Sequence, residues 1–343
     1  MAVTLKNVAE RAGVSPTVVS RVLHNKALAI RVSEATAERV RQAAIDLNYR
    51  VNAAARGLRE QQTMSLGILH GHGYGRNRFD AGSRYFAQLM DGIVEGAFAH
   101  GYSVTLCPKL LTHDPMAALA DGRFDGLIWY STSPNEDNQR LLKNTSLPLV
   151  LIHSTGEDFG GKFPTVICDN SQGIGFALDH LESLGHKKIG FAFVSEDPFG
   201  EGQLRRELFT SQMLLRGLTA SNADIIDLHW TGSGGDLYFE EGLRHTAIIA
   251  VNDGVAGRLI ESAEKAGVRV PADLSIMGFD STSYCREFRP ALTSVRQPLF
   301  EIGEAAANLL VSSIQRNLPV NHHLVIPCGF DIRESTATPR PTA

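Results

Sequence analysis

The chain has 343 residues, a net charge of −4, 43% hydrophobic and 20% charged residues. That length holds more than one domain and a large core. With no apolar N-terminal segment and no long uncharged apolar span, the sequence argues against secretion and membrane insertion and for a cytoplasmic protein.

Charge is unevenly placed. Residues 1–62 carry ten Lys/Arg against five Asp/Glu, a surplus of +5 that leaves −9 on the remainder. A basic head on an acidic body is the asymmetry expected when only one end touches phosphate. Cys107, Cys168, Cys285 and Cys328 show no CxxC pairing and read as buried free thiols.

In chain order, Leu5, Val8, Ala9 and Ala12 lie on one face of a short helix that ends at Gly13, which tolerates a left-handed turn. Ser15 is placed to cap a second helix, and Pro16 takes its first position, where no amide donor is needed. Val14, Val18, Val19, Val22 and Leu23 supply the facing side. The spacing is that of a helix-turn-helix, which places its second helix in the DNA major groove. A third helix opens at Ser33, with Ala35, Ala37, Val40, Ala43, Ala44 and Leu47 as its stripe. Asn52 can cap a further segment, Ala53–Leu58, too short to be a stable helix alone.

From Ser65 apolar runs alternate with helical patterns. The predicted strands are Leu66–His70, Ser103–Cys107, Gly126–Tyr130, Leu149–His153, Val166–Cys168, Lys188–Val194, Ile225–Leu228, Ala247–Val251 and Leu274–Phe279. Helical segments are expected at Tyr85–Ala99, Gly173–Leu184, Gly254–Ala266 and Leu299–Ile314. This rhythm predicts parallel α/β sheets covered on both faces, and a break near residue 167 predicts two similar lobes. The tail Ser335–Ala343 reads as frayed.

Particular stretches carry a resemblance. They are Thr4-Leu-Lys-Asn-Val-Ala, Ala12-Gly-Val-Ser, Val19-Ser-Arg-Val-Leu and Asn52-Ala-Ala-Ala-Arg-Gly-Leu58 in the head. In the body they are Asp169-Asn170, Leu184-Gly-His-Lys-Lys-Ile189, Ala250-Val-Asn-Asp253, Ile276-Met-Gly-Phe-Asp280 and Leu292-Thr-Ser-Val-Arg-Gln297. Across essentially its full length the chain resembles the LacI/GalR family of bacterial transcription regulators. The resemblance implies an N-terminal all-α helix-turn-helix domain at 1–62, with a hinge helix at about 52–59. It also implies a two-lobed, periplasmic-binding-protein-like α/β domain at 63–343 that binds effector and dimerises. The first lobe would span 63–167 plus 296–322, and the second 168–295 plus the C-terminal remainder. The implied partners are a palindromic double-stranded DNA operator, a small-molecule effector and a second copy of the chain, with repression favoured and a nucleoid-associated location. No cofactor is implied.

Carried over residue by residue, the family pattern makes Ser15, Pro16, Thr17, Ser20 and Arg21 the DNA-reading positions, with Val18 on the same helix near the groove. Arg21 would bond both acceptors of a guanine, the alternative being a solvated surface arginine. Leu58 would wedge into the minor groove beside Ala53, Ala54 and Arg56, with Asn52 and Arg59 near phosphate; the alternative is local packing. Gly57 stands where serine is frequent and weakens that helix by up to ~1 kcal/mol relative to alanine.

Tyr85, Tyr130, His153, Arg205, Trp230, Asn252 and Asp280 match effector-contact positions. Such groups gather at strand ends, where α/β crevices form. Asp280 and Asn252 as turn or helix caps, His153 as a bonded strand-end residue, Phe86 as core and Asp253 as a helix cap are the alternatives. Arg76 and Arg78 in Gly71–Gly82 would meet an acidic ligand group or lie in solvated loop. Asp280, Asn252, Arg205 and Trp230 favour a sugar or sugar derivative, with a nucleobase second. An enzyme and a cytosolic sugar-binding protein are the rival classes. No GxGxxG, GxSxG, HExxH or P-loop is present, so no catalytic residue is assigned. The His70/His72 pair lacks the further ligands a metal needs.

Overall fold

The structure is a computed structural model. It describes residues 3–23, 32–50, 62–70, 84–107, 122–130, 145–155, 158–195, 200–218, 221, 224–228, 233–316 and 322–340. The chain divides into two compact units, Met1–Thr63 and Met64–Ala343.

The first unit contains α1 (Leu5–Ala12), α2 (Pro16–Leu23) and α3 (Glu34–Asp46). Asn7 Oδ1 accepts the Thr4 amide at 2.9 Å and the Thr4 hydroxyl at 2.7 Å, closing the start of α1. Gly13 has φ +63°, the left-handed turn that the sequence demanded. Ser15 Oγ accepts the Val18 amide at 3.4 Å, and Ser33 Oγ accepts the Thr36 amide at 3.3 Å. Val8, Ala9, Ala12, Val19, Val40, Ala43 and Ala44 form the buried centre, with Leu5, Val14, Val22, Leu23, Leu47 and Tyr49 packed against it. Two stripe residues differ from expectation: Ala35 is exposed, and Val18 is half-exposed and outside the cluster. Successive helix residues point roughly 100° apart, so with Val19 centred on the core Val18 falls at the edge of the buried arc.

The second unit is built on two six-stranded sheets. One contains β1 (Ser65–His70), β2 (Ser103–Cys107), β3 (Gly126–Tyr130), β4 (Leu149–Ile152), β5 (Thr165–Cys168) and β11 (His323–Ile326), in the order β11-β5-β4-β3-β1-β2. The other contains β6 (Ile189–Phe193), β7 (Ile225–Asp227), β8 (Ala247–Ala250), β9 (Ser275–Asp280), β10 (Thr293–Arg296) and β12 (Gly329–Asp331), in the order β12-β10-β9-β8-β6-β7. Every pairing is parallel except β10 with β12. The central strands β3, β4 and β8 are buried along their whole length, as apolar runs covered on both faces should be.

Among the described residues the α-helices of this unit are α4 (Arg84–Ala99), α5 (Asn170–Ser183), α6 (Gly200–Leu215), α7 (Ser233–Glu240), α8 (Asp253–Lys265) and α9 (Leu299–Arg316). The chain crosses between lobes after β5, after β10 and again between β11 and β12. The first lobe therefore extends to Ile326, past the expected limit of residue 322, because β11 continues its sheet. In that lobe α4 and α9 touch through glycine. A Cβ on Gly92 would strike the Phe300 carbonyl oxygen, and one on Gly303 the Leu89 carbonyl oxygen.

The tail corrects the sequence reading. Ser335 is fully buried: its carbonyl accepts the Ile276 amide at 2.9 Å and its hydroxyl accepts the Thr293 amide at 2.9 Å. Arg340 then reaches Asp273 at 3.1 Å. Polar residues here satisfy the starts of the interior strands β9 and β10, a role that composition does not reveal, while residues 341–343 lie outside the described residues.

Candidate functional site

On the first unit, Val19 anchors α2 in the core, and the helix presents Thr17 exposed and Val18, Ser20 and Arg21 half-exposed away from it. Ser15 and Pro16 are exposed at its start. Thr17 and Arg21 are one turn apart, on one face. The expected positions Asn52, Ala53, Ala54, Arg56, Gly57, Leu58 and Arg59 lie outside the described residues.

In the second unit a buried polar cluster spans the two lobes at the C-terminal ends of β4 and β9. His153 follows β4 with φ +62°, and Asp280 closes β9 with φ +119°. Both are non-glycine residues in a sparsely allowed region, the kind of backbone strain that collects at functional sites. Helix α6 contributes Glu201 and Arg205, four residues apart and therefore on one face.

The cluster is continuous. From the first lobe, the Tyr85 hydroxyl and His153 Nε2 lie 2.7 Å apart. His153 Nδ1 then faces Glu201 Oε2 of the second lobe at 3.2 Å. Glu201 Oε2 also lies 3.4 Å from Arg205 Nη2, and its Oε1 accepts from Asn170 Nδ2 at 3.3 Å. Arg205 Nε donates to Asn170 Oδ1 and Nη1 to the Val251 carbonyl, each at 2.8 Å. The same Nη1 is 3.7 Å from Asp280 Oδ1, which accepts from Gln297 Nε2 at 2.6 Å. The guanidinium lies 3.8 Å from the centroid of the Phe279 ring, a cation–π arrangement.

Burial and charge set the ionisation. Burial pushes the Glu201 carboxyl up, but His153 and Arg205 outweigh it and hold its pKa at about 2. Burial and Asp253 together drive Asp280 well above the usual carboxylate range, against the pull of Arg205. Desolvation raises the Tyr85 phenol in the same way, helped by Glu201. Burial opposes the charge on Arg205, while Glu201 and Asp280 keep it protonated.

Three buried atoms of the cluster have no hydrogen-bond partner: His153 Nδ1, Arg205 Nη2 and Gln297 Oε1. The first two sit at ion-pair distance from Glu201, at 3.2 and 3.4 Å. Groups left in this state inside a protein are costly unless something else meets them.

The structure thus joins Tyr85, His153, Arg205 and Asp280 of the expected effector residues, and places Tyr130 edge-on to His153 at 5.6 Å. Asn252 lies outside these contacts: its Oδ1 caps α8 by accepting the Val255 amide at 2.8 Å, the capping role that was its alternative reading. Asp253 is not the cap. It is buried, accepting from Ser294 Oγ at 2.6 Å and the Thr282 amide at 2.9 Å. Phe86 packs against the core, as its alternative reading held. Trp230 and the loop with Arg76 and Arg78 lie outside the described residues. Glu201, Asn170 and Gln297 were missed. The Glu-x-x-x-Arg spacing at 201–205 was the available signal for Glu201. Among the described residues no group of His, Cys, Asp and Glu is arranged to hold a metal, and no helix is long and apolar enough to cross a membrane.

A helix-turn-helix unit followed by a two-lobed α/β unit with a buried polar cluster between its lobes defines a DNA-binding regulator with an effector-binding domain. Residues 4–52 match the model of bacterial regulatory proteins of the lacI family, and residues 178–336 that of a periplasmic binding protein-like domain. The chain is 32% identical to the HTH-type transcriptional repressor PurR of Photobacterium profundum, over 94% of this chain and 97% of that protein. It is 30% identical to catabolite control protein A of Priestia megaterium, over 98% and 100%. Among solved structures, the Lac repressor dimer bound to operator and the anti-inducer ONPF superposes with a TM-score of 0.80 at 23% identity, over 98% and 100% of the two chains. A LacI family regulator from Enterococcus faecium with bound ribose gives 0.65 at 27% identity, over 80% and 100%. The chain belongs to the LacI family of bacterial transcriptional regulators.

Proposed function

We propose that this regulator is a repressor that binds a palindromic operator as a homodimer and reads a sugar or sugar derivative in the cleft of its second unit. The carrying observation is the set of unpartnered buried atoms, His153 Nδ1, Arg205 Nη2 and Gln297 Oε1, gathered beside Asp280 at the strand ends. A guanidinium donor, a ring nitrogen and an amide acceptor suit a hydroxyl, which both gives and takes a hydrogen bond. The Enterococcus faecium relative with bound ribose supports the same ligand class. Ser15, Pro16, Thr17, Ser20 and Arg21 read the operator, and Asn52, Ala53, Arg56 and Leu58 engage its centre. The protein acts in the cytoplasm, associated with the nucleoid, and catalyses no reaction.

Ligand in the cleft changes how the lobes close and thereby the affinity of the paired heads for DNA. A coupling of ~1–3 kcal/mol corresponds to a change of roughly 5–150-fold. Calorimetric titration of the full chain with sugars, sugar acids and purine bases tests the reading. The binding heat of the winning ligand disappears in Asp280→Ala; heat unaltered by that substitution rejects the cleft as the site.

A further inference from the structure

We infer that Glu201 makes the cleft selective for uncharged ligands and closes it to anionic ones, such as sugar acids and phosphorylated sugars. The inference rests on the cleft being the effector site.

A buried anion needs a cation whose charge is not already answered. Arg205 does not meet that need. Its Nε and Nη1 are bonded to Asn170 and the Val251 carbonyl, its Nη2 lies 3.4 Å from Glu201, and Asp280 stands 3.7 Å from Nη1. One guanidinium is therefore held between two carboxyl groups. Among the described residues of the cluster the other basic side chain is His153, which faces the same Glu201 oxygen at 3.2 Å.

Glu201 is thus the common counter-ion of both basic side chains in the cluster. Arg205, His153 and Glu201 are, respectively, 3%, 6% and 9% exposed, so water screens little of their field. A phosphate or carboxylate entering here meets a fixed negative charge at short range and finds the guanidinium already neutralised. A hydroxyl or amide meets no such barrier, and the unpartnered atoms of His153, Arg205 and Gln297 remain for it to bond. Glu201 in this role sets specificity by repulsion as well as by contact.

The test is calorimetry on the full chain with matched pairs: ribose and ribose phosphate, glucose and glucuronate, inosine and inosine monophosphate. In the wild type the neutral member of a pair binds and its anionic counterpart binds roughly 10-fold or more weakly. Glu201→Gln, which keeps the shape and removes the charge, tightens the anionic member relative to the neutral one. Glu201→Ser repeats the comparison without the isosteric amide, and melting of each unliganded variant shows that it folds. An anionic probe binding the wild type as well as its neutral partner, or an unchanged ratio in both folded variants, overturns the inference. In the first case loss of heat in Asp280→Ala leaves the cleft reading standing. Heat that survives Asp280→Ala, or no heat from any probe, defeats the cleft reading and the inference with it.

Discussion

His153 of the first lobe and Glu201 of the second meet between the lobes, with 3.2 Å between Nδ1 and Oε2. The lobes are also joined at an exposed point, where Arg84 pairs with Glu287 and donates to Ser283 Oγ at 3.1 Å. The exposed pair is worth little, about 0–1 kcal/mol. The buried one differs, because removing Glu201 takes from Arg205 the buried carboxylate that lies 3.4 Å from its Nη2.

The acid limb of the stability profile should reveal Glu201. Its pKa in the folded chain is about 2, below its ordinary value of 4.5. A carboxyl depressed by folding contributes stability above its unfolded pKa and loses it as pH falls through the folded one. The contribution is therefore fully present above 4.5 and disappears by about 2, on the order of 3 kcal/mol. Chemical denaturation of Glu201→Gln at a series of pH values should show lower stability at neutral pH and a shallower loss across that window. A variant whose pH profile runs parallel to wild type would remove the pair from this account.

Asp280 has the opposite sign. Burial, with Asp253 nearby, raises it well above 3.8, so the folded chain holds a proton that the unfolded chain releases. Stability then falls as pH rises from 3.8 toward the raised value, so burying this carboxyl is a net cost above that window. Asp280→Asn keeps an acceptor for Gln297 and removes the charge. Its melting temperature at neutral pH is expected above wild type while ligand affinity drops, the trade-off common at binding sites. A lower melting temperature together with full ligand binding contradicts both halves.

Much of this architecture was legible in advance, for physical reasons. Gly13, Ser15, Pro16 and Ser33 are local signals whose turn and caps need no distant partner. The central strands announced themselves as unbroken apolar runs such as Leu149–Ile152. Helices α6 and α7 are harder to read, since Gly200, Gly202, Gly234 and Gly235 at their starts lower helix propensity. Strands β11 and β12 have only four and three residues and no fully buried pattern, and tertiary pairing alone makes them strands. In the cleft, single residues after strand ends were readable, but the pairing of His153 with Glu201 joins distant segments of chain. Asn252 stood at a strand end as expected and then served the next helix.

The contact of α4 with α9 reverses a usual substitution effect. Glycine to alanine inside a helix ordinarily gains up to ~1 kcal/mol. At Gly303 the added methyl would strike the Leu89 carbonyl oxygen, which belongs to a rigid helix backbone and cannot swing aside. Gly303→Ala should therefore destabilise the second unit by about 1–3 kcal/mol, as overpacking does. Calorimetric melting checks this, and a melting temperature equal to or above wild type would mean that the helices separate without cost.

Arg21 distinguishes base reading from phosphate attraction. It shares a face of α2 with Thr17, opposite the buried Val19. A bidentate arginine–guanine contact is worth about 1–3 kcal/mol of discrimination. A phosphate contact instead weakens all sequences alike and lowers the slope of log affinity against log salt by about 1. Selecting high-affinity duplexes from a random library, then comparing wild type with Arg21→Ala by fluorescence anisotropy over a salt series, separates the two. The expected result is a loss confined to the selected duplexes, with one position of the site relaxed and the non-specific salt slope unchanged. An equal loss on selected and random DNA, with a reduced slope, would assign Arg21 to the backbone and leave Thr17 and Pro16 at the start of the helix to read sequence.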